Sequence, residues 1–389
     1  MSKENPVIYM IVGEPSGDLL ASRLMKSINV KTFNRTSFFG LGGESMAEMG
    51  FSSLFDISEL SIMGLIEVLP KIPFILKRIR EVVNDIKRKK PDVIVSVDSW
   101  SFAARVLKAV KKAKLDIPCI HYVAPQVWAW KKGRAKTMYR YIDHLLCLLP
   151  NEPPLFTKYR LKADFVGHPV IEGDAGNGVK KDFYQQHELS DNDLVITVLP
   201  GSRKNEVAYL LPIFKETLTI LKAKYPNLRS VLPVVRTVKN KVLKEVATWS
   251  DNIRPILTFG EKARYDAFAA STVALAASGT VGLELVKAGL AHVITYKVSP
   301  LTAFLVRRLV EVKYVNLINL FAGREIIPEM LQEDANPVKL ASLLDDMIKN
   351  DQMRKIQITD ARSVMQEFLG NGDKRPSDIA ADIVLDYVR

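Results

Sequence analysis

The chain alternates between short, uniformly apolar runs and longer segments in which apolar residues recur every three or four positions. Val7–Val12, Val93–Val97 and Leu194–Leu199 are runs of the first kind, rich in β-branched residues. An apolar run without polar alternation predicts a strand buried on both faces, and the periodic segments between the runs predict helices. Repeated along the chain, this alternation predicts the α/β fold class with parallel sheets covered on both faces.

One stretch interrupts the alternation, from Gly167 to about Asp191, where Gly, Asp, Lys and Gln replace the apolar runs. We interpret it as a linker, because a chain of 389 residues is long enough for two domains. The predicted domains are residues 1–170 and residues 171–371, and the C-terminal helix 372–389 is a candidate addition to the first. Ligands of such domains bind beyond the carboxyl ends of the strands, so a cleft between two facing domains is the expected site.

The net charge and the cysteine content limit the kinds of ligand that the chain is expected to bind. The net charge of +12 favours phosphorylated substrates, acidic lipid headgroups or nucleic acid. Since the sequence contains no zinc-finger or RNP-type aromatic motif, we expect no nucleic-acid partner. Cys119 and Cys147 lie in strand-like segments without CxxC spacing, which predicts buried, reduced thiols and no metal site. The N-terminal segment lacks the pattern of a signal peptide, which favours a cytoplasmic location.

Two predicted strand-to-helix turns have the composition of anion sites. The first, Pro200-Gly201-Ser202, follows an apolar run and is followed by Arg203. Helix N-termini present N–H groups that attract phosphate, and an arginine can bind phosphate oxygens through two N–H groups. The second turn is Ser278-Gly279-Thr280, and Glu284, one helical turn later, can bind ribose hydroxyls. The alternatives are an ordinary turn with a surface arginine, and a helix cap followed by a solvated glutamate.

Eight short segments, in order from residue 13 to residue 332, carry a family resemblance. They are GEPSGD (13–18), GLGG (40–43), HYVAPQVWAWKKGR (121–134), FVGHP (165–169), LPGSR (199–203), ASGTVGLE (277–284), YKVSPLT (296–302) and NLFAGREIIPEMLQ (319–332). Together they resemble the lipid-A-disaccharide synthases, a family of glycosyltransferases. The resemblance implies an α/β fold with two Rossmann-like domains facing across a cleft, the GT-B architecture.

The resemblance also implies a reaction, the transfer of 2,3-diacylglucosamine from UDP to the 6-hydroxyl of 2,3-diacylglucosamine 1-phosphate (lipid X), with inversion. Such a reaction needs a base on the acceptor hydroxyl. Asp98 is the predicted base, and a helix-capping role is its alternative. Glu14 is a second catalytic candidate, and His121 is a third, although a lone histidine inside a strand is more often structural. The family usually has a second acidic residue where this chain has Ser101, which leaves Asp98 alone.

For the UDP-sugar donor, the resemblance implies contacts from the second domain. The predicted pyrophosphate contacts are Arg203, Ser278, Gly279, Thr280 and Arg324. Glu284 is predicted to bind the ribose, and Asn319 and Glu329 are predicted secondary contacts. Since no acidic pair of the DxD type follows a predicted strand, we expect helix ends and cations to neutralise UDP, with no metal and no cofactor.

For the acceptor and its acyl chains, the resemblance implies contact with a membrane. Ser16, Trp128, Trp130 and Lys131 are predicted acceptor contacts, and the alternative for the tryptophans is a core position. Ile62–Ile79 is dense in large apolar residues and is followed by cations, the composition of an interfacial segment. The residues predicted to form an exposed acyl-docking patch are Ile66, Leu69, Ile72, Ile75 and Leu76. The alternative is a core helix with a basic outer face. We expect a monomer or homodimer, peripheral on the anionic cytoplasmic face of the inner membrane.

Two other classes of function fit part of the pattern. Another UDP-sugar glycosyltransferase or a UDP-sugar 2-epimerase would share the architecture, but an epimerase needs no acyl-docking patch and releases UDP without an acceptor. A non-catalytic nucleotide- or nucleic-acid-binding protein would explain the basic charge. It would not explain phosphate turns in one domain together with a carboxylate at a strand end in the other. Nucleic-acid binding would weaken steeply as the salt concentration rises.

Overall fold

A computed structural model gives the fold of residues 5–60, 72–125, 133, 135–299, 313–370 and 373–388, and only these are described. The chain divides into two compact units, each with its own sheet. The first unit extends to Ile171 and takes in the C-terminal residues from Leu369 onward. The second unit comprises Glu172–Phe368.

The first unit is built on a six-stranded parallel sheet. Its strands are β1 (Val7–Val12), β2 (Ser37–Leu41), β3 (Val93–Val97), β4 (Cys119–Tyr122), β5 (His144–Cys147) and β6 (Lys162–Phe165). They lie in the order β2-β1-β3-β4-β5-β6. The chain therefore leaves β1 in one direction towards β2 and then continues on the other side with β3. A crevice at such a reversal, beyond the carboxyl ends of β1 and β3, is where open α/β sheets bind ligands.

Helices cover both faces of this first sheet. They are α1 (Pro15–Lys31), α2 (Glu44–Ala47), α3 (Ile72–Lys89), α4 (Trp100–Lys112), α5 (Ala135–Met138), α6 (Pro153–Thr157) and, last in the chain, α15 (Pro376–Leu385). Because successive side chains of a strand point to opposite faces, β1 contributes to two apolar layers. Ile8 and Met10 pack with α1 and α15, whereas Tyr9 and Ile11 pack with α3 and α4. Both cysteines are buried in this unit, and neither forms a disulfide.

The second unit repeats this plan with another six-stranded parallel sheet. Its strands are β7 (Leu194–Leu199), β8 (Leu228–Val234), β9 (Ile256–Phe259), β10 (Val273–Ala277), β11 (His292–Tyr296) and β12 (Glu329–Leu331). The order β12-β11-β10-β7-β8-β9 places the reversal between β7 and β10. The turns that follow these two strands are the ones that the sequence predicts to bind phosphate.

The helices of the second unit lie between and after its strands. They are α7 (Lys180–Gln186), α8 (Lys204–Lys224), α9 (Lys239–Val246), α10 (Glu261–Ala270), α11 (Val281–Ala288), α12 (Leu317–Ala322), α13 (Pro337–Lys349) and α14 (Asp351–Leu369). The main apolar core of the unit joins β7, β8 and β10 to α8 and α13. A smaller cluster lies on the other side of the sheet, around the buried ring of Phe183 on α7.

The predicted α/β class with parallel sheets is confirmed by this architecture. The stretch from Gly167 to about Asp191, interpreted as a linker, contains a 3-10 helix (Pro169–Glu172) and α7. Phe183 anchors α7 against Val195 and Val231, so this stretch is in large part ordered structure of the second unit. β12 was not predicted, because three half-buried residues leave no apolar run in the sequence.

Candidate functional site

In the first unit, two turns meet at the carboxyl ends of β1 and β3. The Ser16 hydroxyl, in the first turn of α1, donates a hydrogen bond to Asp98 Oδ2 at 2.7 Å. The Ser99 N–H donates to the other oxygen, Asp98 Oδ1, at 2.8 Å. The carboxylate is half-buried and Ser16 is exposed. The structure therefore brings together two predicted site residues and leaves the carboxylate within reach of a ligand.

The backbone at Asp98 is in an uncommon conformation. Asp98 and Ser99 have φ angles of 55° and 41°, and two successive non-glycine residues in the left-handed region are costly to hold. Gly17 makes the arrangement possible, because a Cβ at this position would lie 3.0 Å from Val97 O and 3.2 Å from Asp98 Cβ. Such strain is typical of residues that a functional site holds in one orientation.

The helix-capping alternative for Asp98 does not fit the observed bonds. A capping carboxylate accepts from N–H groups two or three residues further along the chain, whereas Asp98 accepts from its neighbour Ser99. Asp18, which the sequence did not single out, is the capping residue of this region. It is only 4% exposed and accepts from the N–H groups of Gly43, Ser45 and Met46 at the start of α2.

The two other base candidates lie in different surroundings. Glu14 is exposed and precedes α1 in extended conformation, without a side-chain cap. His121 is fully buried in β4, where its Nδ1 is 2.8 Å from Ser96 Oγ and its ring contacts that of Trp100. Burial lowers the pKa of His121 to about 3. A neutral imidazole without exposure does not reach a substrate, so we keep His121 as a structural residue.

The buried His121 should make the first unit sensitive to acid. Between its folded pKa of about 3 and an unfolded pKa of about 6.5, only the unfolded chain takes up the proton. The free energy of unfolding therefore has its full value above pH 6.5 and falls as the pH is lowered, by about 1.4 kcal/mol per pH unit from this residue. Denaturant unfolding of wild type and His121→Gln between pH 7.5 and 4.5 measures the slope. Glutamine can still bond Ser96, and equal slopes in the two proteins would contradict the prediction.

In the second unit, the turn after β7 is occupied by an internal carboxylate. Glu206, only 6% exposed, accepts from the N–H groups of Ser202 at 3.1 Å and Arg203 at 3.2 Å. Its other oxygen accepts from Arg203 Nη1 at 2.8 Å and from the Tyr296 hydroxyl at 3.4 Å. Gly201 leaves room for it, since a Cβ there would lie 2.4 Å from Glu206 Oε2. The predicted anion site thus rests on the exposed Arg203 side chain rather than on the N–H groups of the turn.

The turn after β10, the neighbouring strand, is open. Gly279 and Thr280 are exposed at the start of α11, and a Cβ at Gly279 would meet open space. Glu284, one turn into the helix, has a partner that the sequence did not reveal. Arg264 of α10 lies with its Nη2 3.3 Å from Glu284 Oε2 and also donates to the Tyr265 hydroxyl at 3.1 Å. This ion pair fixes the direction of the carboxylate that we assign to the ribose.

Two predicted donor contacts have internal roles. Asn319 is fully buried. Its amide donates to Ile327 O and to Glu329, and its oxygen accepts from the N–H groups of Ile326 and Ile327. Glu329 accepts in addition from the N–H groups of Val315 and Asn316. Both side chains hold the loop before β12 in place, so we assign them a positioning role instead of direct contact with the donor.

Arg324 lies at the amino ends of the strands of the second sheet. It precedes β12 and its Nη2 donates to Asp360 of α14 at 2.8 Å. The two residues line a hollow of about 340 Å³ together with Gln357, whose amide bonds both backbone groups of His292, the first residue of β11. Because the strands are parallel and His292 begins β11, this hollow lies at the amino ends of the strands. The turns after β7 and β10, which the sequence predicts to bind phosphate, lie at the opposite, carboxyl ends. This placement contradicts pyrophosphate binding by Arg324, and we leave the residue out of the donor site.

Several predicted acceptor residues lie outside the described part of the chain. They are Ile66, Leu69, Trp128, Trp130 and Lys131, and of Ile72 only the backbone is described. Ile75 is half-buried against the first core, whereas Leu76 is 48% exposed. In the described residues, no helix is long and apolar enough to span a membrane. The same residues contain no group of three or more side chains suited to a metal ion.

Sequence comparisons give consistent matches over nearly the whole chain. A family model described as lipid-A-disaccharide synthetase matches residues 8–384. The lipid-A-disaccharide synthase of Paramagnetospirillum magneticum is 46% identical over 385 residues, which cover 98% of this chain and 98% of the relative. The corresponding protein of Rhodospirillum centenum is 44% identical over 382 residues, covering 98% of this chain and 94% of the relative.

Solved structures with the same fold include UDP-sugar enzymes. A UDP-GlcNAc 2-epimerase from Neisseria meningitidis, bound to UDP-GlcNAc, matches with a TM-score of 0.66 at 12% identity, over 98% of this chain and 100% of that chain. MurG from Acinetobacter baumannii matches with a TM-score of 0.55 at 15% identity, over 98% and 99%. At such identities the likeness shows the fold alone.

Proposed function

The chain belongs to the lipid-A-disaccharide synthetase family, and from this premise we propose how its residues carry out the reaction. The enzyme is a glycosyltransferase of lipid A biosynthesis that uses a UDP-sugar. It transfers 2,3-diacylglucosamine from UDP-2,3-diacylglucosamine to the 6-hydroxyl of 2,3-diacylglucosamine 1-phosphate. The products are the β(1→6)-linked disaccharide 1-phosphate and UDP. A single displacement inverts the anomeric carbon.

Asp98 is the residue that we assign to the acceptor hydroxyl. The assignment rests on the position of its carboxylate, which lies at the carboxyl ends of β1 and β3, where the strand order reverses. Ser16 and Ser99 hold it there by hydrogen bonds. These two bonds leave lone pairs on both oxygens, so the carboxylate can still accept the proton of an incoming hydroxyl. General-base catalysis of this kind contributes about 10²- to 10⁴-fold to a rate. Ser16 positions the carboxylate, and exposed Glu14 remains the second candidate.

The second unit supplies the donor site in this proposal. Arg203 stabilises the charge that develops on the departing UDP. The turn Ser278-Gly279-Thr280, exposed at Gly279 and Thr280, offers N–H groups and hydroxyls to a phosphate. Glu284, held by Arg264 at 3.3 Å, accepts from ribose hydroxyls. Neither metal nor cofactor is part of the proposal, since a cation and a helix end face the leaving group.

We place the enzyme at the cytoplasmic face of the inner membrane, as a peripheral monomer or homodimer without a nucleic-acid partner. Its substrates carry acyl chains, which requires a contact with lipid. Leu76 is 48% exposed near the start of α3, next to the exposed cations Lys77 and Arg80. An exposed aliphatic side chain beside cations suits a membrane interface. The acyl-docking patch in this proposal consists of Ile66, Leu69, Ile72, Ile75 and Leu76. The proposed contacts with the acceptor sugar phosphate are Trp128, Trp130 and Lys131.

An assay with UDP-2,3-diacylglucosamine and lipid X in detergent tests the function. We expect UDP and the disaccharide to form in equal amounts, at the same rate with and without EDTA, and no UDP without lipid X. Release of UDP without an acceptor would indicate the alternative, a 2-epimerase. Loss of turnover in EDTA that Mg²⁺ restores would contradict the metal-independent scheme, and the absence of disaccharide would refute the function.

A further inference from the structure

Val123, which follows β4 directly, has a backbone conformation that a valine rarely adopts. Its φ angle is 85°, in the left-handed region where a side chain with a branched β-carbon is an outlier. Among the described non-glycine residues with a left-handed φ, Val123 alone is β-branched. Such a conformation costs free energy and persists only where the surrounding structure holds it. The place of Val123 in the first sheet indicates what this conformation achieves.

Val123 is a neighbour of Asp98 at the carboxyl edge of the first sheet. β3 and β4 lie side by side, and Val97 opposite Tyr122 is the last pair of their register. The Asp98 N–H continues the ladder by donating to Tyr122 O at 2.9 Å. Asp98 and Val123 are the residues that follow this last pair. Since adjacent strands lie about 4.8 Å apart, the two residues are separated by one strand spacing.

The left-handed conformations turn both side chains to the same side of the sheet. Successive residues of a strand alternate between its two faces, so Val123 is expected on the face opposite to Tyr122. Instead both side chains pack in the apolar layer of α1 and α15, and Ala124 lies in the other layer. Asp98 is turned towards α1 as well, where it accepts from the Ser16 hydroxyl at 2.7 Å. A left-handed φ at each of the two residues accounts for this shared direction.

The Asp98 carboxylate therefore has different neighbours on its two sides. On the side of β1 lie Ser16, which donates to Oδ2, and Gly17, where a Cβ would be 3.2 Å from Asp98 Cβ. On the side of β4 lies the half-buried side chain of Val123, which carries no hydrogen-bond donor. The bonds that the structure describes for the carboxylate come from Ser16 and the Ser99 N–H. Polar groups thus hold it on one side, and an aliphatic group covers the other.

We propose that Val123 is a positioning residue for the base, which keeps the β4 side of the Asp98 carboxylate free of water and of hydrogen-bond donors. A further donor would stabilise the ionised carboxylate and make it a weaker base, and water would compete with the acceptor hydroxyl for its lone pairs. An extended residue after Tyr122 would point to the opposite face, so the strained φ is needed to bring an aliphatic side chain to this side. The inference rests on the proposed function, in which Asp98 takes the proton of the acceptor.

The alternative is that Val123 only fills the apolar layer of α1 and α15. Ile120 and Tyr122 of β4 are fully buried in this layer, whereas Val123 is half-buried. A half-buried side chain gains less from the hydrophobic effect, and backbone strain reduces that gain further. The two roles differ in what a substitution changes, since packing affects the unfolding midpoint and positioning of the base affects kcat.

The test variant is Val123→Thr, which keeps the branched side chain and adds a hydroxyl donor beside the carboxylate. We expect kcat to fall by about tenfold, the effect of one hydrogen bond to a charged group, with little change in either KM. The conservative variant Val123→Ile stays branched and apolar, so it should lose less than about threefold. Thermal melts of both proteins measure stability separately. Wild-type kcat in Val123→Thr, or equal losses in the two variants, would overturn the proposal.

A double variant shows whether Val123 acts through Asp98. Asp98→Asn removes the base, so adding Val123→Thr should lower kcat by less than about twofold more, because residues that act as one unit are not additive. A substitution with a purely structural effect would multiply its own loss into that of Asp98→Asn. Full multiplication of the two losses would therefore overturn the positioning role.

A measurement without substrate keeps the inference separate from the proposed function. A carbodiimide with glycine ethyl ester converts accessible carboxylates to amides, and peptide mass spectrometry gives the rate at Asp98. Val123→Gly adopts a left-handed φ without steric cost and uncovers the β4 side, so we expect a higher labelling rate at Asp98 than in wild type. The matched control is Arg160→Gly, at an exposed residue before β6 with a φ of 65°, and it should keep the wild-type rate.

The two possible failures have different signatures. An equal labelling rate in Val123→Gly and wild type would overturn the inference even in an active enzyme. A wild-type protein that forms no disaccharide would refute the proposed function, while faster labelling in Val123→Gly would still show that Val123 covers Asp98.

Discussion

Replacing Asp98 by asparagine is expected to lower kcat by about three orders of magnitude, within the range for loss of a general base, and to change KM for either substrate by less than about threefold. Asparagine keeps the shape of the side chain, with an oxygen that can accept from the Ser99 N–H and an amide N–H that can donate to the Ser16 hydroxyl in place of the bond that Ser16 donates to Asp98. It loses the negative charge that, in the proposed mechanism, accepts the proton of the acceptor hydroxyl. Steady-state assays with each substrate varied in turn measure kcat and both KM values.

Glu14→Gln and Ser16→Ala are the controls for Asp98. Glu14 is exposed at the neighbouring turn. If Asp98 is the base, Glu14→Gln should lower kcat by less than about fivefold, since a general base contributes 10²-fold or more. Loss of the Ser16 hydroxyl removes one hydrogen bond and should cost about tenfold, because one such bond contributes about 1.5 kcal/mol. A Glu14→Gln variant without activity beside an active Asp98→Asn variant would reverse the two assignments.

The pair of Ser16 and Asp98 illustrates what a sequence can predict. β1 and β3 are recognisable because strands buried on both faces must be apolar throughout. Parallel strands end at the same edge, so the sequence also places Ser16 and Asp98 at that edge. It does not give the order of the strands, which makes β1 and β3 neighbours. Nor does it give the left-handed backbone of Asp98 and Ser99, which depends on contact with Gly17.

The predicted donor residues show which contacts the sequence does not reveal. Arg203 and Ser278 can be singled out as candidates from the sequence because turn chemistry is local. Arg264 was missed because it meets Glu284 from a different helix, and nothing in its own segment indicates the pair. Arg324 was assigned to the donor because of the motif around it, but its partner Asp360 lies on α14. Contacts between distant segments decide such cases, and short motifs do not encode them.

Replacing Arg203 by lysine is expected to lower kcat by about 10²-fold and to weaken inhibition by the product UDP by about tenfold, a loss typical of one charge-stabilising donor. The guanidinium is 63% exposed while Nη1 is held by Glu206 at 2.8 Å. A guanidinium carries five N–H donors, so Arg203 can present donors to a phosphate while Glu206 fixes its orientation. A lysine is a single point charge that cannot bond Glu206 and phosphate in this forked way.

The partner variant Glu206→Gln separates catalysis from folding. Glutamine retains an oxygen for the N–H groups of Ser202 and Arg203 but weakens the hold on the guanidinium. If Glu206 acts through Arg203, the double variant should lose less kcat than the product of the two single fold-losses. The effects of substitutions in residues that act as one unit are not additive. Thermal melts of all variants measure the structural part. A leaving-group contact requires a loss of about 10²-fold. If kcat and UDP inhibition of Arg203→Lys stay within about threefold of wild type, the prediction is contradicted, and Arg203 is only a surface partner of Glu206.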